Sequence, residues 1–454
     1  MASQRPNILL INCDDLGYGD LGCYGSRRNH TPALDRLAAE GLRLDQFYMA
    51  SPVCSPSRGA MMTGCYPPRI GFGEFEGQWV LFPGQRVGLN PEEQSVARLL
   101  KAAGYRTGIV GKWHCGDQPA FLPTRHGFDM YYGIPYSNDM GRQRADDPFP
   151  PLPLMDDETV IQEQPDQAAL TERYVERCIR FMREAGDQPF FLYLAHLHVH
   201  LPHYVPERFL QATRNGRYGA AVACIDWAMD ALMAELDRLG LAGNTLIVFT
   251  SDNGSRADAR GGSNGRLRGR KGQTWEGGMR VPCIVRWPDR VPAGVTSDNL
   301  AASIDLLPTF CALAGAEAPE KPIDGLDLSA FWQDPSGTPS PRDGFVYWHR
   351  DALEAIRDER YKLHFSKGAE PLSALYDLQA DPGETTDLAD RLPAVVSRLE
   401  LEADGWRERL GDRRIRKTGT EIRPQGRVDD PDTLTHFDAS HPYIVAEYDL
   451  QERG

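Results

Sequence analysis

The sequence has few cysteines, no long apolar run and no excess of positive charge. Nine cysteines among 454 residues are too few, and odd in number, for a scaffold held by disulfides. No apolar stretch reaches the roughly 18 residues of a membrane span. The first residues lack the charged region and apolar stretch of an export signal. We therefore expect a cytoplasmic protein without a membrane span.

The net charge is strongly negative. Lys plus Arg count 50 and Asp plus Glu count 64, which gives −14. This charge argues against a broad surface for nucleic acid or anionic membranes, so any anionic ligand needs cations placed locally. Hydrophobic residues make up 41% and charged residues 25% of the chain, as in an ordinary globular protein. We expect a folded chain with a large core and no nucleic-acid partner.

Short β-branched or leucine-rich runs alternate with longer helical patterns. This alternation predicts an α/β fold with a large, mostly parallel or mixed sheet sandwiched by helices. The predicted strands are 7–12, 107–110, 190–195, 245–250 and 283–286. The predicted helices include 166–183, 218–239 and one that begins at Pro32, with Thr31 as its cap.

The pattern changes after about residue 340. Runs at 345–348, 361–365 and 374–378 are spaced like antiparallel strands and precede a helical pattern at 392–410. From Gly411 the chain is polar, with an apolar cluster at Tyr443–Ala446. We predict a large α/β domain over 1–340, a small α+β unit over 341–410 and an extension over 411–454. The extension is expected to be loosely ordered or to dock on a second subunit of a homo-oligomer.

Polar groups follow four of the predicted strands at the point where each strand ends. They are Asp14-Asp15, Lys112-Trp113-His114, the alternating His196, His198 and His200, and Asp252-Asn253. In an open α/β sheet, ligands bind beyond the carboxyl ends of the strands. Each group alone has an ordinary interpretation as a turn or a polar face. Their agreement at four strand ends predicts one shared ligand site.

Four of these residues offer only oxygen donors. Asp14, Asp15, Asp252 and Asn253 suit a hard cation, and Ca²⁺ is favoured over Mg²⁺ because it accepts six to eight oxygens in irregular geometry. The three alternating histidines would share one face of a strand, which also suits zinc, although a plain polar face is the ordinary interpretation.

The segment Ser51–Gly64 contains a cysteine at a predicted helix start. Ser55 and Pro56 suit a helix start, which places Cys54 at the positive end of the helix dipole. A small buried cysteine before a helix is the ordinary interpretation, and spacing alone favours it.

The residues around this cysteine resemble a known motif. Cys54-x-Pro56-x-Arg58, followed by Ala60 and Thr63-Gly64, resembles the modification motif of the sulfatases, in which the cysteine is oxidised to formylglycine. Further stretches similar to that family, in the same order along the chain, are 6–17, 104–114, 251–254, 270–278 and 376–384. The segment 133–139 and His364-Phe365 are most similar to the arylsulfatase A branch, within the alkaline phosphatase superfamily.

The resemblance implies hydrolysis of sulfate monoesters, of an aryl alcohol or a carbohydrate, to the alcohol or phenol and inorganic sulfate. Cys54 would become an aldehyde whose hydrate attacks sulfur, leaving a sulfated hemiacetal that breaks down by C–O cleavage. A separate formylglycine-generating enzyme would be needed as a maturation partner.

The resemblance also assigns roles to individual residues. The metal would be held by Asp14, Asp15, Cys54, Asp252 and Asn253, with Arg58 supporting the carboxylates. Lys112 and Lys271 would bind sulfate, Lys271 or His200 would protonate the departing oxygen, and His114 would take the second proton of the hydrate. His200 is chosen over its neighbours because Pro202 follows it at the family's spacing. Substrate-pocket candidates are Ser137, Asn138, Asp139, His203 and His364, with aromatic residues at 72–79 as a wall.

Two alternatives to a sulfatase stay open. A site for tetrahedral oxyanions also suits a phosphonate or phosphate ester hydrolase of the same superfamily. A catalytically silent oxyanion-binding protein would keep the pocket without the aldehyde.

Overall fold

The computed structural model describes residues 5–144, 146–438, 440 and 446–454. Its strands are β1 (Asn7–Cys13), β2 (Leu42–Tyr48), β3 (Val87–Gly88), β4 (Arg106–Lys112), β5 (Met130–Ile134), β6 (Pro153–Asp156), β7 (Thr159–Glu163), β8 (Phe190–Ala195), β9 (Thr245–Ser251), β10 (Arg280–Arg286), β11 (Val295–Ala302), β12 (Gly344–His349), β13 (Ala352–Asp358), β14 (Tyr361–Lys367), β15 (Glu370–Asp377) and β16 (Gly426–Arg427). Its α-helices are α1 (Pro32–Ala39), α2 (Cys54–Thr63), α3 (Val96–Ala102), α4 (Leu170–Ala185), α5 (Glu207–Ala212), α6 (Gly216–Arg238), α7 (Glu276–Met279), α8 (Leu306–Ala314), α9 (Ser329–Gln333) and α10 (Pro393–Leu410).

The larger sheet has ten strands in the order β11-β2-β10-β9-β1-β8-β4-β5-β6-β7. The central strands from β9 to β5 are parallel neighbours, whereas β10 pairs antiparallel with β9 and with β2. The predicted α/β fold with a mostly parallel or mixed sheet is confirmed.

Helices cover both faces of this sheet. Alternate residues of β1 enter two separate apolar clusters, with Ile8 and Leu10 on one face and Leu9 and Ile11 on the other. Residues of α2, α3 and α8 fill the first cluster, and residues of α1, α4 and α6 fill the second. Because both faces are covered, the central strands are apolar almost throughout, as the sequence pattern predicted.

Helix α1 begins at Pro32 as predicted, but Thr31 does not cap it through its side chain. The Thr31 hydroxyl lies 3.1 Å from a carboxylate oxygen of Asp35 and accepts a hydrogen bond from the Gly22 amide instead.

The smaller sheet has the antiparallel order β12-β13-β14-β15, and α10 packs against β13 and β14. Leu353, Ile356 and Leu363 of this sheet share an apolar cluster with Leu399 and Ala403 of α10. The small antiparallel unit is confirmed, and β13 is a strand that the sequence interpretation did not include.

The described residues after Gly411 dock on this same chain. Strand β16 pairs with β3, and the Arg423 guanidinium lies 2.8 Å from the Glu93 carboxylate. Further along, the Tyr448 side chain is buried, and its hydroxyl donates to the Pro165 carbonyl at 2.7 Å. The apolar cluster at 443–446 lies outside the described residues except for Ala446. An oligomer contact through the extension stays a prediction.

Among the helices of the described residues, none is both long enough and apolar enough to cross a membrane. The cytoplasmic location stays a prediction.

Candidate active site

The four polar strand ends meet at one edge of the larger sheet. Because β9, β1, β8 and β4 are adjacent and parallel, their carboxyl ends lie side by side. Backbone hydrogen bonds continue past the strands, from the Asp14 amide to the His198 carbonyl at 3.0 Å and from the Asp252 amide to the Cys13 carbonyl at 2.9 Å. The convergence predicted from the sequence is therefore present.

Helix α2 brings Cys54 and Arg58 to this edge. Cys54 is the first residue of α2 and is 2% exposed. Possible metal-ligand atoms of Cys54, Asp14 and Asp252 lie within 4.8 Å of one another. One helical turn later, Arg58 Nε donates to Asp252 Oδ2 at 2.9 Å and Nη1 donates to the Lys112 carbonyl at 3.0 Å. Arg58 thus holds an acidic side chain and a neighbouring strand end in place.

Two buried lysines face the acidic residues. Lys112 Nζ lies 2.6 Å from Asp14 Oδ2 and 3.2 Å from the Ser137 hydroxyl. Lys271 Nζ lies 2.9 Å from Asp15 Oδ2. Burial would lower the pKa of Lys271, but the neighbouring acids, Asp15 foremost, outweigh it and raise that pKa. Both lysines therefore present positive charge within a protein that is acidic overall.

The loop that carries Lys271 is fixed by backbone contacts. The Lys271 amide donates to the Ser255 carbonyl at 3.0 Å, and the Gly272 amide donates to the Pro52 carbonyl at 2.9 Å. The second contact ties this loop to the segment that precedes Cys54.

The oxygen donors fit a hard cation. Asn253 Nδ2 donates to Asp15 Oδ1 at 2.7 Å, which aims the amide of Asn253 at the acidic residues. Within the described part of the chain, Asp14 Oδ1 and Asn253 Oδ1 are buried without a hydrogen-bond partner. Such groups are costly unless a ligand satisfies them. Burial and the Asp14 carboxylate raise the pKa of Asp252 to about 7, and a divalent cation would favour its ionised form.

His114 is held in one tautomer on a strained backbone. Its φ is 58°, in the left-handed region, and Asp15 has a φ of 61°. His114 Nε2 lies 2.9 Å from the Leu81 carbonyl, which can only accept, so Nε2 carries the proton. Among the described residues, nothing hydrogen-bonds to His114 Nδ1. Burial, reinforced by the Lys112 charge, holds the pKa of His114 well below its ordinary value, so the ring is neutral.

His200 is the histidine that joins the cluster. Its Nδ1 lies 2.6 Å from the Leu201 carbonyl and 3.4 Å from the Ser137 hydroxyl, and its Nε2 lies 3.9 Å from Asp15 Oδ2. Burial and the Lys271 charge lower the pKa of His200.

His196 and His198 do not complete a zinc site. His196 Nε2 lies 3.3 Å from the Thr171 hydroxyl, and its Nδ1 accepts from the His198 amide. Within the described residues, neither histidine belongs to a group of three possible metal ligands.

Besides Ser137, which contacts Lys112, three of the substrate-pocket candidates lie near the cluster. Asn138 Nδ2 donates to the Gln167 side chain at 2.9 Å, so this amide is engaged in the protein interior. Asp139 is 6% exposed and accepts a hydrogen bond from the Gly454 amide at 2.9 Å. His203 lines a small cavity that also reaches Asp15.

The remaining candidate residue, His364, is packed into the protein away from the cluster. His364 is fully buried, with Nε2 2.6 Å from Glu384 Oε1 and its ring 4.6 Å from the ring of Trp275. None of its described contacts is with the Cys54 cluster.

Within the aromatic segment 72–79, Phe72 and Phe75 are fully buried and pack edge to face. They therefore belong to the core. Trp79 is only partly buried, and its ring covers Gly272, next to Lys271.

The end of the described chain lies against the cluster, a contact that sequence reasoning missed. A Cβ built on Gly454 would lie 1.7 Å from His200 Cε1, so the backbone here packs directly on the imidazole. The Arg453 guanidinium stacks 4.6 Å from the Phe149 ring centre. The polar composition of the extension offered no signal for this placement.

Comparison with known proteins covers most of the chain. The sulfatase family model matches residues 6–316, and the model for the C-terminal region of N-sulphoglucosamine sulphohydrolase matches residues 270–403. Arylsulfatase A of Bos taurus is 40% identical over 450 residues, covering 88% of each protein. N-acetylgalactosamine-6-sulfatase of Sus scrofa is 41% identical over 388 residues, covering 80% of this chain and 72% of that protein.

The fold is shared with a solved structure, Ps i-CgsB in complex with k-i-k-neocarrahexaose. It superposes with a TM-score of 0.78 at 32% identity, covering 89% of this chain and 93% of that one. The chain belongs to the sulfatase family, whose members hydrolyse sulfate esters.

Proposed function

We propose that this enzyme hydrolyses sulfate monoesters of phenols or carbohydrates by formylglycine chemistry at Cys54. The observation that carries the proposal is the position of Cys54 at the start of α2, beside Asp14 and Asp252 and within the field of Lys112 and Lys271. Anionic oxygens are stabilised at a helix start and next to buried cations. The surroundings of this side chain thus suit a negatively charged sulfate group.

Cys54 is poorly suited to act as a thiolate. Burial raises the pKa of its thiol to about 11, although Lys112 and Lys271 oppose this change. Little thiolate therefore exists near pH 7, and the thiol would be a weak nucleophile. Conversion to formylglycine would supply a hydrated aldehyde, with one hydroxyl to attack sulfur and a second whose deprotonation releases sulfate.

A divalent cation, which we propose to be Ca²⁺, would be held by Asp14, Asp15, Asp252 and Asn253 together with the modified residue 54. It would supply charge neutralisation for the sulfate oxygens and favour ionisation of a bound hydroxyl. Arg58 would keep the Asp252 carboxylate oriented, since two of its nitrogens lie 2.8 to 2.9 Å from Asp252 Oδ2.

The lysines would bind the sulfate group. Lys112 and Ser137 already lie 3.2 Å apart and would donate to sulfate oxygens from one side. Lys271 would donate from the side of Asp15. Ion pairs of this kind position an anionic ester and stabilise charge that develops on it.

His114 would act as the base that accepts the proton of the second hydroxyl. Its Nδ1 is the free nitrogen, because Nε2 is occupied by the Leu81 carbonyl. Its lowered pKa keeps the ring neutral and able to accept a proton.

The proton for the departing oxygen would come from Lys271 rather than His200. The Leu201 carbonyl at 2.6 Å fixes the proton of His200 on Nδ1, so Nε2 can only accept. Lys271 keeps its ammonium protons because its pKa is raised.

Conversion of Cys54 to formylglycine requires a separate formylglycine-generating enzyme. The natural substrate is an aryl sulfate or a sulfated carbohydrate. A carbohydrate is supported by two similar proteins, one bound to neocarrahexaose and one named as an N-acetylgalactosamine-6-sulfatase.

A screen of sulfate esters tests the reaction class and the nucleophile together. We expect the wild type to release sulfate from 4-nitrophenyl sulfate and from some sulfated sugars. Cys54→Ala should lose this activity, while Cys311→Ala, at a buried cysteine in α8, should keep it. Mass analysis of the peptide across Cys54 should show the aldehyde. A fully active enzyme with an intact thiol at this position would refute the mechanism.

The same enzyme should be assayed on a matched aryl phosphonate ester. Higher kcat/KM for the phosphonate would identify a phosphonate hydrolase instead. A protein that binds sulfate esters but turns over neither class, even with the aldehyde present, would be a silent binding homologue.

A further inference from the structure

A basic groove leads away from the active-site cluster. The small cavity that reaches Asp15 has a volume of about 10 Å³, which is room for one water molecule. It shares Leu201, His203 and Tyr218 with a larger groove of about 380 Å³. A volume of that size is typical of small-molecule sites. The groove therefore lies directly beside the active-site cluster.

Four arginines line this groove, namely Arg28, Arg214, Arg217 and Arg260. Arg260 forms an ion pair with Asp258. Within the described residues, no carboxylate lies within ion-pair distance of Arg28, Arg214 or Arg217, and all three side chains are exposed. Elsewhere in the chain, arginines are commonly paired, as Arg69 is with Asp324 at 2.8 Å.

Three unpaired guanidinium groups on one groove are notable in a chain with a net charge of −14. A guanidinium group binds sulfate and carboxylate oxygens through two parallel hydrogen bonds. Glu452 is the acidic residue of the chain's extension that lines the same groove, and it lies there with Leu450. The groove thus offers more positive than negative charge to a ligand.

We propose that this groove binds a second anionic group on the substrate, so that the preferred esters carry another sulfate or a carboxylate besides the sulfate that is cleaved. This assignment rests on the proposed function, because the cleaved sulfate must first occupy the Cys54 cluster. Arg217 in the first turn of α6, Arg214 just before this helix, and Arg28 contact the second group.

The test compares a disaccharide that carries one sulfate with the same disaccharide carrying two. For the wild type, kcat/KM should be about tenfold higher with two sulfates, and added salt should reduce this preference. Arg214→Gln combined with Arg217→Gln should remove most of the preference, mainly through a higher KM. The matched control is Arg391→Gln with Arg416→Gln, which removes the same charge from two exposed positions outside the groove and should keep the preference.

Turnover of 4-nitrophenyl sulfate separates failure of this assignment from failure of the proposed function. If the wild type hydrolyses 4-nitrophenyl sulfate but shows equal kcat/KM for the two disaccharides, the groove assignment is wrong and the reaction stands. If no sulfate ester is cleaved, the groove is tested by calorimetric binding of the two disaccharides. If the wild type and the Arg214/Arg217 variant then bind the disulfated sugar with equal affinity, the groove assignment is wrong. If the Arg214/Arg217 variant binds it about tenfold more weakly and the control variant does not, the groove assignment is supported.

Discussion

Two clusters of buried charge lie in this molecule, and they are built differently. The active-site cluster comprises Asp14, Asp15, Asp252, Lys112 and Lys271 at the edge of the larger sheet. The interface cluster comprises Glu276, Lys362, Glu384 and His364, where α7 meets the smaller sheet. Nearly all of these side chains are fully buried.

The two carboxylates and the ammonium group of the interface cluster are satisfied by protein, although His364 Nδ1 has no hydrogen-bond partner among the described residues. Lys362 Nζ lies 3.0 Å from Glu276 Oε1, 3.0 Å from Glu384 Oε1 and 2.9 Å from the Thr274 carbonyl. Glu276 also accepts from the Tyr48 hydroxyl at 2.5 Å and the Tyr347 hydroxyl at 2.8 Å. This cluster joins the two sheets and leaves its carboxylates no capacity for a ligand.

The active-site cluster keeps unpaired acceptors on Asp14 and Asn253 among the described residues. The pKa values differ within each cluster. Burial would raise the pKa of Glu276, but Lys362 and two arginines lower it to about 2, whereas burial raises the pKa of Glu384. In the active-site cluster, burial would raise the pKa of Asp14, but Lys112 lowers it, whereas burial and Asp14 raise the pKa of Asp252 to about 7. A buried cluster with satisfied charges stabilises the fold, and one with unsatisfied charges is set up for a ligand.

The largest effect is expected from Lys112→Ala. The change removes the cation that lies beside Asp14 and Ser137, where we place the sulfate group. We expect kcat/KM for 4-nitrophenyl sulfate to fall about a thousandfold, or about 4 kcal/mol in transition-state stabilisation. Circular dichroism and thermal unfolding should show a folded protein. Activity near that of the wild type would contradict the assignment of this lysine.

Lys362→Ala should break the interface cluster instead. It leaves Glu276 and Glu384 buried together without their shared cation. We expect the free energy of unfolding to fall by about 3 kcal/mol, since removing one partner of a buried ion pair strands the other. Chemical denaturation gives this value, and kcat per folded molecule should stay near that of the wild type. A Lys362→Ala protein that is stable but inactive would contradict the claim that the interface cluster serves stability and the active-site cluster serves catalysis.

Removal of divalent cations should destabilise the active-site cluster and leave the interface cluster unchanged. After chelation with EDTA, addition of Ca²⁺ at about a hundred times its Kd should raise the free energy of unfolding by about 2.7 kcal/mol. Asp252→Asn should reduce this gain, because it removes one anionic ligand. Glu276→Gln is the matched control and should keep the full gain.

The smallest effect is expected from acid, which should reduce the contribution of Glu276 to the free energy of unfolding. The pKa of Glu276 in the folded protein is about 2, below its ordinary value of 4.5. Stability from this group is therefore present above about pH 4.5 and lost as the pH falls towards 2. Between about pH 5 and pH 3, we expect the stability advantage of the wild type over Glu276→Gln to shrink by about 2 kcal/mol. A constant difference across this range would show that Glu276 is not held ionised by Lys362.

The core of the fold could be predicted because its signals are local. Strands β1, β8 and β9 are continuous apolar runs flanked by polar residues, so their limits were within one residue of those observed. Strands β2 and β13 contain Arg, Asp or Glu among their apolar residues, so the sequence shows only a weak strand pattern and both were missed. Tertiary contacts make these segments strands despite the weak pattern.

The site was predictable only in part. Asp14 and Asp252 each follow a strand and Lys112 is the last residue of one, so sheet topology alone brings them together. The Leu81 carbonyl, which sets the tautomer of His114, acts through its backbone and has no signature in sequence. His364 resembled a pocket residue but packs against Glu384 and Trp275, because motif similarity does not report which way a side chain faces.

The packing of Gly454 on His200 has a practical consequence for anyone who produces this enzyme. A Cβ at position 454 would overlap the imidazole of His200, and the Gly454 amide donates a hydrogen bond to Asp139 Oδ2. Substitution of Gly454 by any residue with a side chain should therefore displace the end of the described chain from a predicted catalytic histidine. Kinetic work should keep glycine at this position.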